Sequence, residues 1–151
     1  MNIAYAILVV AAVGVALIVQ RQLHQRQRNE AIVAQIHHDW LTHLTNRPHL
    51  AKLWMPEWMD EEVDEKKFVE LINANQQACA LALRDRLGLA RGKRLDFMTK
   101  TFMEKEVGRG YWAACGGYRE EEATGDRSAK RFSRSMRKAF NARLDTGPES
   151  V

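Results

Sequence analysis

The apolar and polar residues divide this chain into one uninterrupted apolar segment and a series of amphipathic segments. From Ile3 to Val19, seventeen consecutive positions carry no charge. A helix of that length rises roughly 25 Å, slightly less than the roughly 30 Å hydrocarbon core of a bilayer. The pattern therefore predicts a membrane-spanning helix within residues 1–20. Representative positions of the span are Ile3, Ala4, Tyr5, Val10, Gly14, Ile18 and Val19.

Basic residues follow the apolar segment, and none precedes it. Arg21, Arg26 and Arg28 lie directly after the span, where the residues offer no small-x-small cleavage site. An uncleaved anchor is therefore favoured over a secretory signal. The single span predicts a single-pass protein of the cell membrane, and its orientation follows because basic flanks stay on the cytoplasmic side. Its amino terminus is expected outside, and its carboxy-terminal domain in the cytoplasm.

Two amphipathic segments follow a polar, basic stalk at residues 21–30. The first is predicted to end before Pro48, because proline cannot continue a helix. The second begins at Asp60 or Asp64 as a capping residue and stops at Gly88. Their apolar faces comprise Ile32, Val33, Ile36, Trp40, Leu41 and Leu44, and then Phe68, Leu71, Ile72, Ala78, Cys79, Ala82 and Leu83.

Three more helices complete the predicted body. One carries Leu95, Met98 and Phe102 and is expected to end at Gly108. The next is short, because Gly116 and its neighbour Gly117 weaken it by about 1 kcal/mol each. The last covers residues 127–144. The apolar positions of these last two helices are Tyr111, Trp112, Cys115 and Tyr118, and then Phe132, Met136, Ala139, Phe140 and Leu144.

The fold class follows from the absence of strand-like alternation outside the span. It is all-α: an N-terminal transmembrane helix and a polar helical stalk, followed by a small bundle of four to five helices. Residues 31–145 are predicted to form the helical domain, and residues 146–151 a disordered tail. The 151 residues leave room for one domain beyond the anchor.

The last helix is strongly basic and contains no acid between Arg127 and Arg143. The candidate surface for a lipid or a partner comprises Lys130, Arg131, Arg134, Arg137 and Lys138. Contact with anionic lipid, docking on an acidic protein and a merely solvated face all remain open. Nucleic acid is disfavoured, because no recognised reading motif is present. An acidic stretch between Glu57 and Glu70 offers an internal counterpart.

Two features suggest an interaction site in the body. The segment LWMPEWM, residues 53–59, either plugs the bundle or forms an exposed groove, and the plug is favoured. Asn75 lies within an apolar helical face, so it either clamps two helices or lines a polar pocket, and the clamp is favoured. The candidate groove or pocket residues are Trp54, Trp58, Asn75, Tyr111 and Trp112.

Signatures of catalysis, cofactors and metals are missing from the sequence. Five histidines precede residue 50, but they show no HExxH or comparable spacing. Cys79 and Cys115 form no C-x-x-C motif and are interpreted as buried free thiols. No phosphate-cradling loop or nucleophile elbow is present. We therefore assign no catalytic, cofactor-binding or metal-binding residue, and we expect no cofactor.

The sequence contains three short elements, PHLAKLW at 48–54, INANQQ at 72–77 and EVGRGYWAACGGYR at 106–119. In this order they resemble a family of small actinobacterial single-span membrane proteins of unknown function. The resemblance covers about residues 31–144 and implies membrane association and a helical body, with no activity attached. The twin glycines and the basic last helix depart from it. The matching positions are Pro48, Leu50, Trp54, Ala74, Asn75, Gln76, Tyr111 and Trp112.

Two classes of function remain after the sequence has been considered. The first is a membrane-anchored interaction or regulatory module that binds a protein partner, with anionic lipid touching the basic helix. The second is a small tethered enzyme or ligand-binding domain with a pocket near Asn75, Tyr111 and Trp112. Ala12 and Ala16 around Gly14 also form a small-residue pair that suits a homo-oligomer contact in the membrane.

Overall fold

The computed structural model describes residues 3–55 and 65–145, apart from the side chains of residues 52 and 65. Every regular element in those ranges is a helix, and an apolar N-terminal helix precedes a helical bundle, so the predicted all-α class is confirmed. The chain divides into two compact units, Met1–Ile36 and His37–Val151. The helices are α1 (Ile3–Thr45), α2 (Pro48–Lys52), α3 (Glu65–Arg86), α4 (Lys93–Glu104), α5 (Glu106–Glu122) and α6 (Arg127–Asp145).

The first unit contains the apolar segment of α1. An 18-residue window of α1 has a mean hydropathy of 2.5, and none of that window is buried. By length and composition this helix is able to cross a membrane. The polar residues between positions 20 and 29 of the same helix are exposed, and Glu30 is half-buried. An ion pair joins Arg26 Nε to Glu30 Oε1 at 3.3 Å. The predicted domain boundaries at residues 20 and 30 fall within α1 and stay predictions.

The end of α1, from His37 onward, belongs to the second unit. Leu41 and Leu44 are buried against Ala51, Phe68 and Ile72. Pro48 occupies the first turn of α2, where its missing N–H is not needed, so the predicted stop before Pro48 is confirmed. Three members of the apolar face predicted for this segment are exposed in the structure rather than buried: Ile32, Val33 and Ile36.

A larger core is formed by α3, α4, α5 and α6 together. Tyr111, Trp112, Met103 and Met136 are almost completely buried at its centre. The remaining buried members are Ala74, Ala78, Leu95, Phe102, Phe132 and Ala139. The helical spacing of these residues is what brings them to one interior, because side chains three and four positions apart share a helix face. Leu144, which the sequence assigns to that face, is instead exposed near the end of α6.

Glycines mark one predicted helix end and contradict another. Gly88 follows α3 with a φ of +80°, and the Leu89 amide donates to the Arg84 carbonyl, so the predicted stop is confirmed. The predicted stop at Gly108 is wrong. The helix ends at Glu104, and Gly108 lies inside α5, where a Cβ would stand 2.2 Å from the Phe102 carbonyl oxygen. Glycine is needed there for close approach.

The fifth helix is longer than the sequence suggests. It runs for 17 residues and contains both Gly116 and Gly117. Gly116 is buried, and a Cβ at this position would lie 2.9 Å from the indole ring of Trp112. The glycine therefore accommodates the largest side chain of the core, and packing of Tyr111 and Trp112 offsets the weak helix propensity.

Candidate functional site

Asn75 ties α3 to α5 through a cluster of polar side chains. The Tyr111 hydroxyl donates to Asn75 Oδ1 at 2.8 Å, and Arg119 Nη2 donates to the same oxygen at 2.7 Å. Arg119 Nε donates to the Tyr111 oxygen at 3.0 Å, and its Nη2 lies 2.9 Å from Cys79 Sγ. The prediction that Asn75 clamps one helix to another is confirmed. We call Asn75, Cys79, Tyr111 and Arg119 the clamp.

Burial sets the protonation states within and beside the clamp. It raises the pKa of the Tyr111 phenol to about 12, although Arg119 acts in the opposite direction. Burial works against the charged form of Arg119, but the Tyr111 oxygen and the Cys79 sulfur hold the pKa of that guanidinium above its usual value. The clamp therefore pairs a neutral phenol with a charged guanidinium at physiological pH.

The second cysteine, Cys115, occupies the α5 stripe between Tyr111 and Arg119 at spacings of four residues. Burial raises the pKa of its thiol, so the thiol is protonated at neutral pH and is a weak nucleophile. Cys79 and Cys115 are both free and half-buried. The prediction that both are buried free thiols is therefore confirmed for their free state, but they are only half-buried.

The clamp lies where the alternative prediction places a pocket. Both donors converge on the Asn75 oxygen, so that oxygen is already occupied by the chain itself. Trp112 is only 1% exposed and belongs to the core. Arg119 is not among the site residues predicted from the sequence, although its position eight residues after Tyr111 places both side chains on one helix face.

Two of the five cations predicted to form a basic surface are engaged within the chain. Arg131 donates to Asp85 Oδ1 and Oδ2 at 3.0 and 2.8 Å. Arg137 donates to Glu120 Oε1 and Oε2 at 2.7 and 2.8 Å. These hydrogen bonds raise the pKa of Arg131 and of Arg137 and lower the pKa of Glu120. The other three are exposed on α6: Lys130, Arg134 and Lys138.

The LWMPEWM segment is only partly described. Leu53 is 77% exposed and Trp54 is 61% exposed, so the favoured plug is wrong for these two residues. Met55 packs against the cluster of Leu41 and Phe68. The Trp54 ring meets that of Trp40 edge-on, with 5.5 Å between centroids. The predictions for Trp58, for the capping residues Asp60 and Asp64, for most of the acidic stretch and for the tail lie outside the described residues.

The four described members of the predicted groove lie in three different places. Asn75 and Tyr111 meet in the clamp, Trp112 lies in the core, and Trp54 contacts Trp40. An apolar groove of about 480 Å³ opens instead between α3, α4 and the start of α5. Phe97 on its wall is 69% exposed. The other apolar wall residues are Ala74, Ala80, Leu81, Met98, Phe102 and Val107.

The histidines do not assemble a metal centre in the described part of the chain. Within residues 3–55 and 65–145, no group of three or more His, Cys, Asp or Glu side chains is placed to hold a metal ion. His37 packs against the ring of Trp40, and His43 Nε2 lies 3.5 Å from Arg47 Nη1. The contact of His37 lies within α1, and that of His43 is with the residue that precedes α2.

Comparison with known proteins gives one match. A family described as a family of unknown function (DUF6082) matches residues 1–151, so the chain belongs to that family. No curated protein and no solved structure matches the chain. The predicted membership of a family of unknown function is therefore confirmed. Actinobacterial origin and single-span membrane character stay predictions.

Proposed function

We propose that this member of the DUF6082 family is a membrane-anchored interaction module. The apolar segment of α1 inserts into the membrane, and the helical unit binds an amphipathic helix of a protein partner in the groove between α3 and α4. The observation that carries this proposal is the open, mostly apolar groove of about 480 Å³ beside the core of α3, α4, α5 and α6. Apolar grooves of this kind accept the apolar face of a helix.

The exposed wall of the groove supports a binding role. Phe97 exposes 69% of its surface, and Val107 exposes 40%. Aromatic side chains dominate the energy of many interfaces when a partner buries them. Burial of the exposed part of Phe97 alone is worth on the order of 1–2 kcal/mol.

The alternative of an enzyme or ligand-binding domain near the clamp has less support. The polar atoms that a ligand needs there already bond to one another, since both Tyr111 and Arg119 donate to Asn75. The phenol of Tyr111 is held protonated and buried, and no described carboxylate or histidine is directed at it. The clamp serves better as a structural joint than as a catalytic centre.

The membrane topology is part of the same proposal. The amino terminus lies outside and the helical unit lies in the cytoplasm, because Arg21, Arg26 and Arg28 follow the apolar segment. Anionic lipid is then available to the exposed cations of α6, each contributing about 1 kcal/mol near the surface. A carboxy-terminal reporter that is active only outside the cytoplasm would reverse this orientation.

Copurification from native membranes tests the partner. The full-length chain is compared with Phe97→Asp, which places a charge on the groove wall, and with Leu144→Asp as a matched control. Leu144 is an exposed apolar residue on α6 that does not line the groove. We expect a discrete protein to copurify with the wild type and the control and to be lost with Phe97→Asp. Equal recovery with the wild type and with both variants would place the interaction elsewhere.

A further inference from the structure

The groove has two distinguishable ends, because α3 and α4 are joined by a short loop. Residues 87–92 connect Arg86 at the end of α3 to Lys93 at the start of α4. Arg84, in the last turn of α3, therefore lies toward the loop, whereas Lys105, directly after α4, lies toward the opposite end. Both residues line the groove.

The charges that line the groove have one sign. Arg84 and Lys105 are its only charged lining residues among those that the structure describes. Both side chains are exposed, and neither forms an ion pair within residues 3–55 or 65–145. Five other arginines do form such pairs. The groove thus has mostly apolar walls, with Asn73, Gln77 and Thr101 as uncharged polar members, and a cation near each end. Its described lining contains no compensating carboxylate.

The length of the groove limits what it can hold. Eleven helical positions separate Asn73 from Arg84, the first and last lining residues of α3. At about 1.5 Å per residue, they span about 16 Å. A bound helix of about three turns covers that distance. Three turns place apolar side chains at positions i, i+3, i+4 and i+7 along one face.

We propose that the groove binds a short amphipathic helix that carries carboxylates at both ends of its apolar face. The inference rests on the proposed function, and it adds the chemistry of the partner. Carboxylates near Arg84 and Lys105 also fix the position of the helix along the groove, because a shift by one turn moves them about 5.4 Å away from the cations. Complementary charges of this kind contribute to specificity and to association rate.

Synthetic peptides test this chemistry directly. Three fluorescein-labelled peptides of four turns share one leucine face, and their terminal turns carry glutamate, glutamine or lysine. Binding is measured by fluorescence anisotropy to the full-length chain in zwitterionic nanodiscs, with empty nanodiscs as the background. We expect the glutamate peptide to bind about tenfold more tightly than the glutamine peptide at low salt, and the lysine peptide to bind least.

Charge reversal identifies the cations. In the double variant Arg84→Glu, Lys105→Glu, the preference should invert, so that the lysine peptide binds best. The double variant Lys93→Glu, Lys100→Glu changes the net charge equally at exposed residues of α4 outside the groove lining, and it should keep the wild-type order. Circular dichroism at 222 nm checks that both variants keep their helices.

The outcomes separate this inference from the proposed function. Equal affinities for the three peptides, lost in Phe97→Asp, would overturn the carboxylate requirement while the groove remains a helix-binding site. A preference for lysine in the wild type, or an order that Lys93→Glu, Lys100→Glu inverts as well, would also overturn it. Absence of binding by all three peptides would overturn the inference, and the copurification experiment then decides the proposed function independently.

Discussion

Arg131 on α6 should be a structural residue, and its loss should destabilise the helical unit. Its guanidinium makes a two-point contact with the carboxylate of Asp85, which is completely buried. The Ser128 hydroxyl lies 3.3 Å from the same carboxylate. The substitution Arg131→Met keeps much of the length of the side chain but removes both charged donors. Among the described residues, Asp85 is then left with the Ser128 hydroxyl as its hydrogen-bond partner.

The magnitude follows from the burial of the two partners. Removing one member of a buried pair costs about 3–5 kcal/mol, because the other charge stays buried without compensation. The side chain of Arg131 is 42% exposed, so water recovers part of that loss. We therefore expect a loss of about 2–3 kcal/mol. For a unit of this size, the melting temperature should fall by about 6–15 °C.

Thermal melting of the full-length chain in detergent measures this effect. Near-ultraviolet circular dichroism reports Tyr111 and Trp112, which are buried in the same unit. Lys130→Met is the matched control, because Lys130 is exposed on the same helix. It should change stability by less than about 0.5 kcal/mol. Equal melting temperatures for Arg131→Met and Lys130→Met would refute the reasoning and return Arg131 to the group of freely exposed cations.

Three further predictions concern packing, pH and thiol chemistry. Gly108→Ala should lower the melting temperature, because its Cβ would stand 2.2 Å from the Phe102 carbonyl oxygen. Gly110→Ala adds its Cβ in open space and should stabilise the fold by about 0.5–1 kcal/mol. Melting temperatures in the opposite order would contradict the packing of α5. The hydrogen bonds from Arg137 lower the pKa of Glu120, so this pair stabilises the fold at neutral pH and its contribution is lost as the pH falls through that lowered pKa. The pair is exposed and is worth less than about 1 kcal/mol, so urea titrations of the wild type and Arg137→Met should differ at neutral pH and converge in acid. Burial raises the pKa of Cys115, so in a variant without the other cysteine its thiol should react with an aromatic disulfide more slowly than free cysteine does near neutral pH, and a faster reaction would contradict the burial.

Helix positions were the part of the structure that the sequence predicts best. Pro48 and Gly88 act through their own backbone chemistry, so the stops they mark do not depend on distant contacts. Gly108 resembles a third helix stop in the sequence, but it lies inside α5. Its role depends on the approach of the Phe102 carbonyl group, and no local pattern contains that information.

For the side-chain sites, the sequence predicts which residues need partners better than it predicts who those partners are. An amide inside an apolar face requires hydrogen-bond partners, so the sequence alone predicts Asn75 as a clamp. The identity of those partners depends on how α3 and α5 pack, which periodicity does not specify. The sequence predicts the basic face of α6 as one surface, but Arg131 forms an ion pair with the buried carboxylate of Asp85 instead. The groove depends on the separation of α3 and α4, and its one signal in the sequence is Phe97, an aromatic residue beside the apolar stripe of Leu95 and Met98.

Photocrosslinking from the groove in native membranes tests the central claim most directly. A benzophenone amino acid replaces Phe97 in one full-length variant and Leu144 in a second, so that both probes occupy exposed apolar positions. After irradiation, we expect a discrete crosslinked species in the membrane fraction from position 97 and none from position 144. Identical crosslinking patterns from both positions, or crosslinking from position 144 alone, would contradict a binding groove between α3 and α4.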